Sequence, residues 1–174
     1  MLNIINSLAP FFEDCYEQIS VRKYSRIVGV SPPTASKLLK SYEKEGLLEK
    51  SRYERYLLFS AKRDNKDFID ISRIYWRRKL SMLTDFIGKT YITEPAVVLF
   101  GSLSKAEVKK TSDVDLAIIG VNKYVDLGGN IDLSKFEKGL GRDIEIFEFK
   151  SLSDIEKMSI WKSVLNGYIL MNTL

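Results

Sequence analysis

The sequence predicts an α+β protein with two domains, one at residues 1–65 and one at 94–174, joined by a connecting helix at 66–93. Two observations lead to this class. In the first half, apolar residues recur at three- and four-residue spacing, which is typical of amphipathic helices, whereas the second half contains short, nearly continuous apolar runs of strand length. The charges divide in the same way, because residues 1–90 contain 17 Lys and Arg against 11 Asp and Glu, and residues 91–174 contain 10 against 12. A basic half is typical of a surface that faces a polyanion, although two solvated surfaces with a chance imbalance would look the same.

The composition excludes several classes of chemistry. The chain has no histidine, which rules out Ser-His and Cys-His catalysis and imidazole zinc sites and leaves carboxylates for any metal chemistry. Its single cysteine, Cys15, cannot form an internal disulfide and favours a reducing compartment. No apolar run reaches the roughly 18 to 20 residues that a membrane span needs. We therefore expect a cytoplasmic protein with no membrane contact.

The first domain has the pattern of helices followed by a basic hairpin. An amphipathic helix is predicted over residues 2–18, with a bend or late start at Pro10. A short helix over 21–28 ends at Gly29, and after a tight turn Ser31 caps a second helix that Gly46 closes. Residues 47–61 then predict two short strands around a basic tip at 52–55.

This order of elements resembles the winged helix-turn-helix of prokaryotic transcription regulators. The resemblance implies a recognition helix at 33–44 that enters the major groove of duplex DNA, and a wing that contacts phosphate. The residues it implies for DNA contact are Thr34, Ser36, Lys37, Lys40, Arg52 and Arg55. Because such domains with an N-terminal helix often dimerise through it, we expect a homodimer. Domains that only dimerise or dock a protein share the same pattern, so that reading stays open.

The connecting segment predicts one long helix that ends at Gly88, since its apolar residues keep helical spacing. Arg77, Arg78 and Lys79 lie together on its polar side. A solvated helix face explains these three cations more simply than an extended nucleic-acid path.

The second domain carries three carboxylates on its predicted strands. The apolar run after Pro95 predicts a strand buried on both faces. On the next strand, alternation places Asp113 and Asp115 on one face. Glu145, on a third strand, joins them if the two strands are neighbours in register. Unpaired, such carboxylates repel each other, so a divalent cation is the simplest compensation, and all-oxygen ligands favour Mg²⁺ or Mn²⁺.

A turn between the first two strands is suited to phosphate. Glycine at position 101 lets the backbone approach an anion closely, and Ser102 adds a hydroxyl and backbone N–H donors. Lys105 is placed to balance triphosphate charge, and Ser112 is a further candidate for nucleotide binding. The tail predicts a helix over 154–165 and a last strand over 168–171.

The motif Gly101-Ser102, followed after about ten residues by Asp113-x-Asp115, resembles the nucleotidyltransferase superfamily of DNA polymerase beta in its minimal prokaryotic form. The stretch GLGRDIEIF is similar to the third strand of that family and carries the third acidic role to Glu145. The resemblance implies an α/β domain with a small mixed sheet, which the last apolar strand completes at its edge. Two departures are Ala106, where the family usually has a second glycine, and Glu145, where it commonly has aspartate.

The resemblance implies a metal-dependent nucleotidyltransferase that moves a nucleoside monophosphate from a nucleoside triphosphate, with ATP the expected donor, to an unknown acceptor. In this reading Asp113, Asp115 and Glu145 are catalytic and hold Mg²⁺ or Mn²⁺. The residues it implies for nucleotide binding are Gly101, Ser102, Lys105 and Ser112. The alternative is a DNA-binding regulator, or an antitoxin-like protein, whose transferase-like domain binds nucleotide or is inactive. A structural role, in which the two aspartates only cap a turn and a strand edge, is the third reading.

Overall fold

A computed structural model of the chain describes residues 2–54, 56–122 and 132–172. The described chain forms two compact units. The first comprises Met1–Tyr75 with Ala106–Lys110, and the second comprises Trp76–Lys105 with Thr111–Leu174. No helix within the described ranges is both long enough and apolar enough to cross a membrane.

The first unit contains helices followed by an antiparallel hairpin. Its elements are α1 (Leu2–Glu13), β1 (Ile19–Ser20), α2 (Val21–Val28), α3 (Pro32–Lys44), β2 (Leu48–Tyr53), β3 (Tyr56–Ala61) and most of α4 (Lys66–Lys79). The three strands form an antiparallel sheet in the order β1-β3-β2. Predicted helix α1 ends five residues earlier than expected and runs through Pro10.

Local signals in the sequence fix α2 and α3. The Ser20 hydroxyl caps α2 by accepting from the Lys23 N–H at 3.3 Å, and Gly29 ends that helix in the left-handed conformation, with φ +72°. The Ser31 hydroxyl then accepts from the Thr34 N–H at 3.4 Å. The predicted bounds of α2 and the predicted cap of α3 are therefore confirmed.

The second unit contains a four-stranded mixed sheet. Its elements after α4 are α5 (Ser81–Thr90), β4 (Ala96–Phe100), α6 (Gly101–Lys105), β5 (Val114–Ile119), α7 (Ser134–Leu140), β6 (Ile144–Phe149), α8 (Leu152–Glu156), α9 (Trp161–Leu165) and β7 (Tyr168–Met171). The strand order is β6-β5-β4-β7, with β5 and β6 parallel and the other two pairs antiparallel. The expected α+β class with a small mixed sheet is confirmed here, and β7 lies at the edge as predicted.

Two predicted helices are wrong in the same way, because each is divided in two. The connecting segment breaks at Leu80, where φ is −91° and ψ is 0°, and its second helix continues past Gly88 to Thr90. The Thr84 hydroxyl donates to the Ser81 carbonyl at 2.9 Å, a local bond of the kind that bends helices. In the tail, the predicted helix over 154–165 is the pair α8 and α9, with residues 157–160 between them.

One face of the sheet in the second unit is covered by the two short C-terminal helices. The buried cluster on this face consists of Ala96, Val98, Phe100, Ala117, Ile119 and Phe149 from the strands, with Ile155 and Val164 from α8 and α9. Every residue of β4 is buried, as the continuous apolar run predicts. This buried central strand leads directly into the Gly-Ser turn.

Candidate active site

The strand register brings two of the three predicted carboxylates side by side. Asp115 pairs with Glu145 across the parallel strands β5 and β6, and with Phe100 of β4 on its other side. Paired residues of neighbouring strands point to the same face of a sheet, so the two carboxylates share a face. Asp113 lies one residue before the start of β5. The predicted register of Glu145 is therefore confirmed.

The three carboxylates interact electrostatically. Burial raises the pKa of the Asp115 carboxyl from 3.8 to about 6, and the negative charges of Glu145 and then Asp113 contribute in the same direction. Asp115 is half-buried, whereas Asp113 and Glu145 are exposed. A cation bound beside Asp115 would offset the repulsion between its carboxylate and the negative charges of Glu145 and Asp113.

Gly101 lies against Asp115 so closely that no other residue fits. Its φ is +68°, a left-handed conformation, and a Cβ at this position would lie 1.9 Å from Asp115 Oδ2 and 2.9 Å from its Cγ. The buried Ser104 hydroxyl donates to the Gly101 carbonyl at 3.0 Å and holds the turn. The Gly-Ser turn and the carboxylates are thus one site, with backbone directly beside the Asp115 oxygen.

The remaining nucleotide-binding candidates lie between Gly101 and Asp115 in the sequence. Ser102 and Ser112 are half-buried, and Lys105, the last residue of α6, is exposed. Ala106, where the sequence departs from the family pattern, has φ +57°. The chain therefore takes at Ala106 the conformation that a glycine adopts without cost, and the alanine carries strain of about 1 kcal/mol.

The donor chemistry of the site fits an oxygen-preferring divalent cation such as Mg²⁺ or Mn²⁺, since all three side chains are carboxylates. Within the described ranges, no three carboxylate or thiolate side chains are gathered around a common point that could hold a metal ion.

Arg142 lies within the third-strand motif, but the sequence alone assigned no role to this residue. Arg142 is buried, and its Nη1 donates to the Ser112 carbonyl at 2.6 Å. No signal in the sequence separates Arg142 from the neighbouring Asp143, which lies in the same short connection between α7 and β6 and is exposed.

The predicted DNA-contacting residues lie in the first unit. Thr34, Lys37 and Lys40 are exposed on α3 and Ser36 is half-buried, whereas Ala35, Leu39 and Tyr42 on the other side of the helix are buried. Arg52 is exposed on β2. Arg55 lies outside the described residues. The helix α3 is therefore amphipathic, and Leu38, at the border of its buried side, is half-buried.

Comparison with known proteins bears on the second unit. The family model of the nucleotidyltransferase domain matches residues 85–166. This range of the chain includes the Gly-Ser turn and all three carboxylates. This match supports the transferase part of the resemblance drawn from the sequence. No curated protein matches the chain.

Among solved structures, the chain has matches to two mutant structures of Lactococcus lactis ZitR. One match has 16% identity over 49% of this chain and 60% of that chain, and the other has 17% identity over 51% and 62%, each with a TM-score of 0.37. The chain thus spans about three fifths of the length of these proteins. A TM-score at this level does not indicate a shared fold.

Proposed function

We propose that the second unit is a metal-dependent nucleotidyltransferase that transfers a nucleoside monophosphate from a nucleoside triphosphate, with ATP as the expected donor, to an acceptor hydroxyl. The observation that carries the proposal is the register of Asp115 beside Glu145, with Gly101 against the Asp115 oxygen. The match of residues 85–166 to the nucleotidyltransferase domain supports nucleotidyl transfer in general. The division into functional segments 1–65, 66–93 and 94–174 is part of the same proposal.

The proposed roles follow from the position of each residue. Asp113, Asp115 and Glu145 would hold Mg²⁺ or Mn²⁺, which supplies charge neutralisation at the phosphates when bound. Gly101 lacks a side chain, so the backbone of the turn lies directly beside the Asp115 carboxylate, where a metal-bound phosphate would sit. Ser102 and Ser112 offer hydroxyl groups, and the exposed Lys105 balances negative charge. These groups orient the triphosphate with its α-phosphorus toward the acceptor.

Transfer forms a bond between the acceptor oxygen and the α-phosphorus and breaks the bond from that phosphorus to the bridging oxygen of the leaving pyrophosphate. The acceptor hydroxyl loses its proton in this step. Glu145, an exposed carboxylate in register with Asp115, is the group we assign to take that proton.

The test uses α-labelled nucleoside triphosphate with Mg²⁺ or Mn²⁺ and follows label into protein, RNA and small-molecule fractions. We expect label transfer by the wild type and by Asp85→Asn, an exposed aspartate on α5 that serves as the matched control. Asp113→Asn should abolish the transfer and weaken Mn²⁺ binding. The proposal fails if the wild type labels no acceptor and Asp113→Asn changes neither nucleotide nor Mn²⁺ affinity.

We also propose that the first unit binds duplex DNA as a winged helix-turn-helix, in a homodimer. The observation in favour is the succession of α2, a three-residue turn, α3 and the β2–β3 hairpin, with Lys37, Lys40 and Arg52 exposed. If Lys37 and Lys40 contact phosphate, replacing both with alanine should reduce the slope of log K against log salt by about 2.

Gel shifts over a salt series measure this slope, with Lys66→Ala, an exposed lysine of the same unit, as the control. Equal slopes for the double variant and the control would remove α3 from the interface. A DNA complex that persists in Asp113→Asn would support the regulator reading independently of transfer.

A further inference from the structure

Arg142 is a charged residue in the interior of the second unit. It is 7% exposed and stands between Gly141, which ends α7 with φ +66°, and the start of β6. An arginine is rarely buried unless its guanidinium has specific partners, because removing the charge from water is costly. The positions of those partners therefore indicate the role of Arg142.

Two of the contacts of the guanidinium lie beside the predicted site. Its Nη1 donates to the Ser112 carbonyl at 2.6 Å, which is a short charge-assisted hydrogen bond. Its Cζ lies 5.2 Å from the centre of the Trp76 ring, within the range of a cation–π contact. Trp76 is fully buried, so this ring is a fixed support.

The carbonyl that Arg142 holds belongs to the residue directly before Asp113. On the other side of Asp113, the Val114 N–H donates to the Asp143 carbonyl at 2.9 Å. The residues before and after Asp113 are thus both bonded to the segment 142–143, in opposite donor directions. Asp113 itself precedes the ladder, whose register begins at the pair Val114 and Ile144. Its backbone is therefore held from both sides by one short segment.

We propose that Arg142 is a positioning residue, which fixes the Ser112 carbonyl and thereby holds Asp113 where it can bind a cation beside Asp115. This inference rests on the nucleotidyltransferase function proposed above. A planar guanidinium can donate along its edge to a carbonyl and stack its face on an aromatic ring at the same time, whereas an ammonium has no flat face to stack. Lysine should therefore replace Arg142 only in part.

The experiment compares Arg142→Gln and Arg142→Lys with the wild type, and uses Arg78→Gln on the exposed side of α4 as the matched control. The first readout is amide hydrogen exchange at Asp113 and Val114 without metal, with Leu116 in the middle of β5 as the internal reference. The second is the dissociation constant of Mn²⁺ alone, measured by calorimetry.

We expect Arg142→Gln to speed exchange at Asp113 and Val114 while Leu116 is unchanged, and to weaken Mn²⁺ binding by about 10-fold, as for other residues that orient metal ligands. Arg142→Lys should recover part of both effects, and Arg78→Gln should match the wild type. If Arg142→Gln does not fold, the lysine variant alone must show faster exchange than the wild type at Val114 but not at Leu116, and an Mn²⁺ affinity between those of the wild type and Asp113→Asn.

Three results would decide against the inference or separate it from the proposed function. Unchanged exchange at Asp113 and Val114 together with unchanged Mn²⁺ affinity overturns it. Faster exchange that extends equally to Leu116 also overturns it, because Arg142 would then support the whole sheet. If the wild type binds neither Mn²⁺ nor nucleotide, the proposed function fails, and the exchange data still decide whether Arg142 holds the segment before β5.

Discussion

Replacing Asp115 with asparagine should stabilise the protein without metal at neutral pH. In the folded state the pKa of the Asp115 carboxyl is raised to about 6, by burial first and then by the charges of Glu145 and Asp113. The ionised form is therefore less favourable in the folded protein than in the unfolded chain. The neutral amide of an asparagine would place no charge at this half-buried position, so the substitution removes this unfavourable term.

The magnitude follows from the difference between the two pKa values. A carboxyl with a pKa near 6 instead of 3.8 lowers the free energy of unfolding by about 3 kcal/mol at pH 7.5 if the whole effect is retained. Because solvent still reaches Asp115, we expect about half of this, about 1.5 kcal/mol. A raised carboxyl pKa means that the folded state binds more protons between pH 3.8 and 6. The stabilising effect of Asp115→Asn is therefore complete above about pH 6.5, about half as large at pH 5, and mostly lost near pH 4.

Urea unfolding followed by tryptophan fluorescence is the suitable assay, because both tryptophans of the chain, Trp76 and Trp161, belong to the second unit. At pH 7.5 the midpoint of Asp115→Asn should lie about 0.5–1 M above that of the wild type. Asp85→Asn, on exposed helix surface, provides the control. Mg²⁺ should raise the midpoint of the wild type and leave that of Asp115→Asn unchanged. Equal midpoints at pH 7.5, or a difference that stays the same at pH 5, would refute the electrostatic reasoning.

Three further substitutions test the packing of the second unit by thermal or urea unfolding. Gly101→Ala should destabilise by about 2–4 kcal/mol and abolish Mn²⁺ binding, because its Cβ meets the Asp115 oxygen at a positive φ; stability equal to the wild type would contradict the close contact. Gly139→Ala on α7, where a Cβ meets nothing within 4 Å, should be neutral or should stabilise by about 0.5 kcal/mol. A clear loss of stability would contradict the reasoning from free space at this position. Tyr91→Phe removes the hydroxyl that donates to the Glu148 carboxylate and should cost about 1–2 kcal/mol, with an unchanged midpoint as the opposing result.

The parts of the fold that sequence predicts well are those set by short-range pattern. Apolar runs indicated β4, β5 and β7, and alternation placed Glu145 on the opposite face of its strand from Ile144 and Ile146, so that only its register with Asp115 was left open. Gly29 marked a helix end because its residue type suits the left-handed conformation found there.

The parts that sequence predicts poorly depend on three-dimensional packing. The break at Leu80 has no glycine or proline to mark it, and the buried leucine at this position keeps the helical spacing of the apolar residues around it. The role of Arg142 rests on a carbonyl thirty residues away in the chain, and only the folded structure brings the two together. The arrangement of the three carboxylates around a cation likewise depends on side-chain rotation, which no spacing pattern records.

The strand that carries Glu145 lies at the border of its sheet. Among the described strands, β6 is bonded only to β5, whereas β5 and β4 each have two neighbours. A border strand detaches at a lower free energy than a central one, through local fluctuations that leave the rest of the molecule folded. Such a fluctuation would carry Glu145 away while Asp115 and Gly101 keep their contact. The pairing of Glu145 with Asp115 therefore depends on an edge strand, and we expect heat or denaturant to separate these two carboxylates before the second unit unfolds.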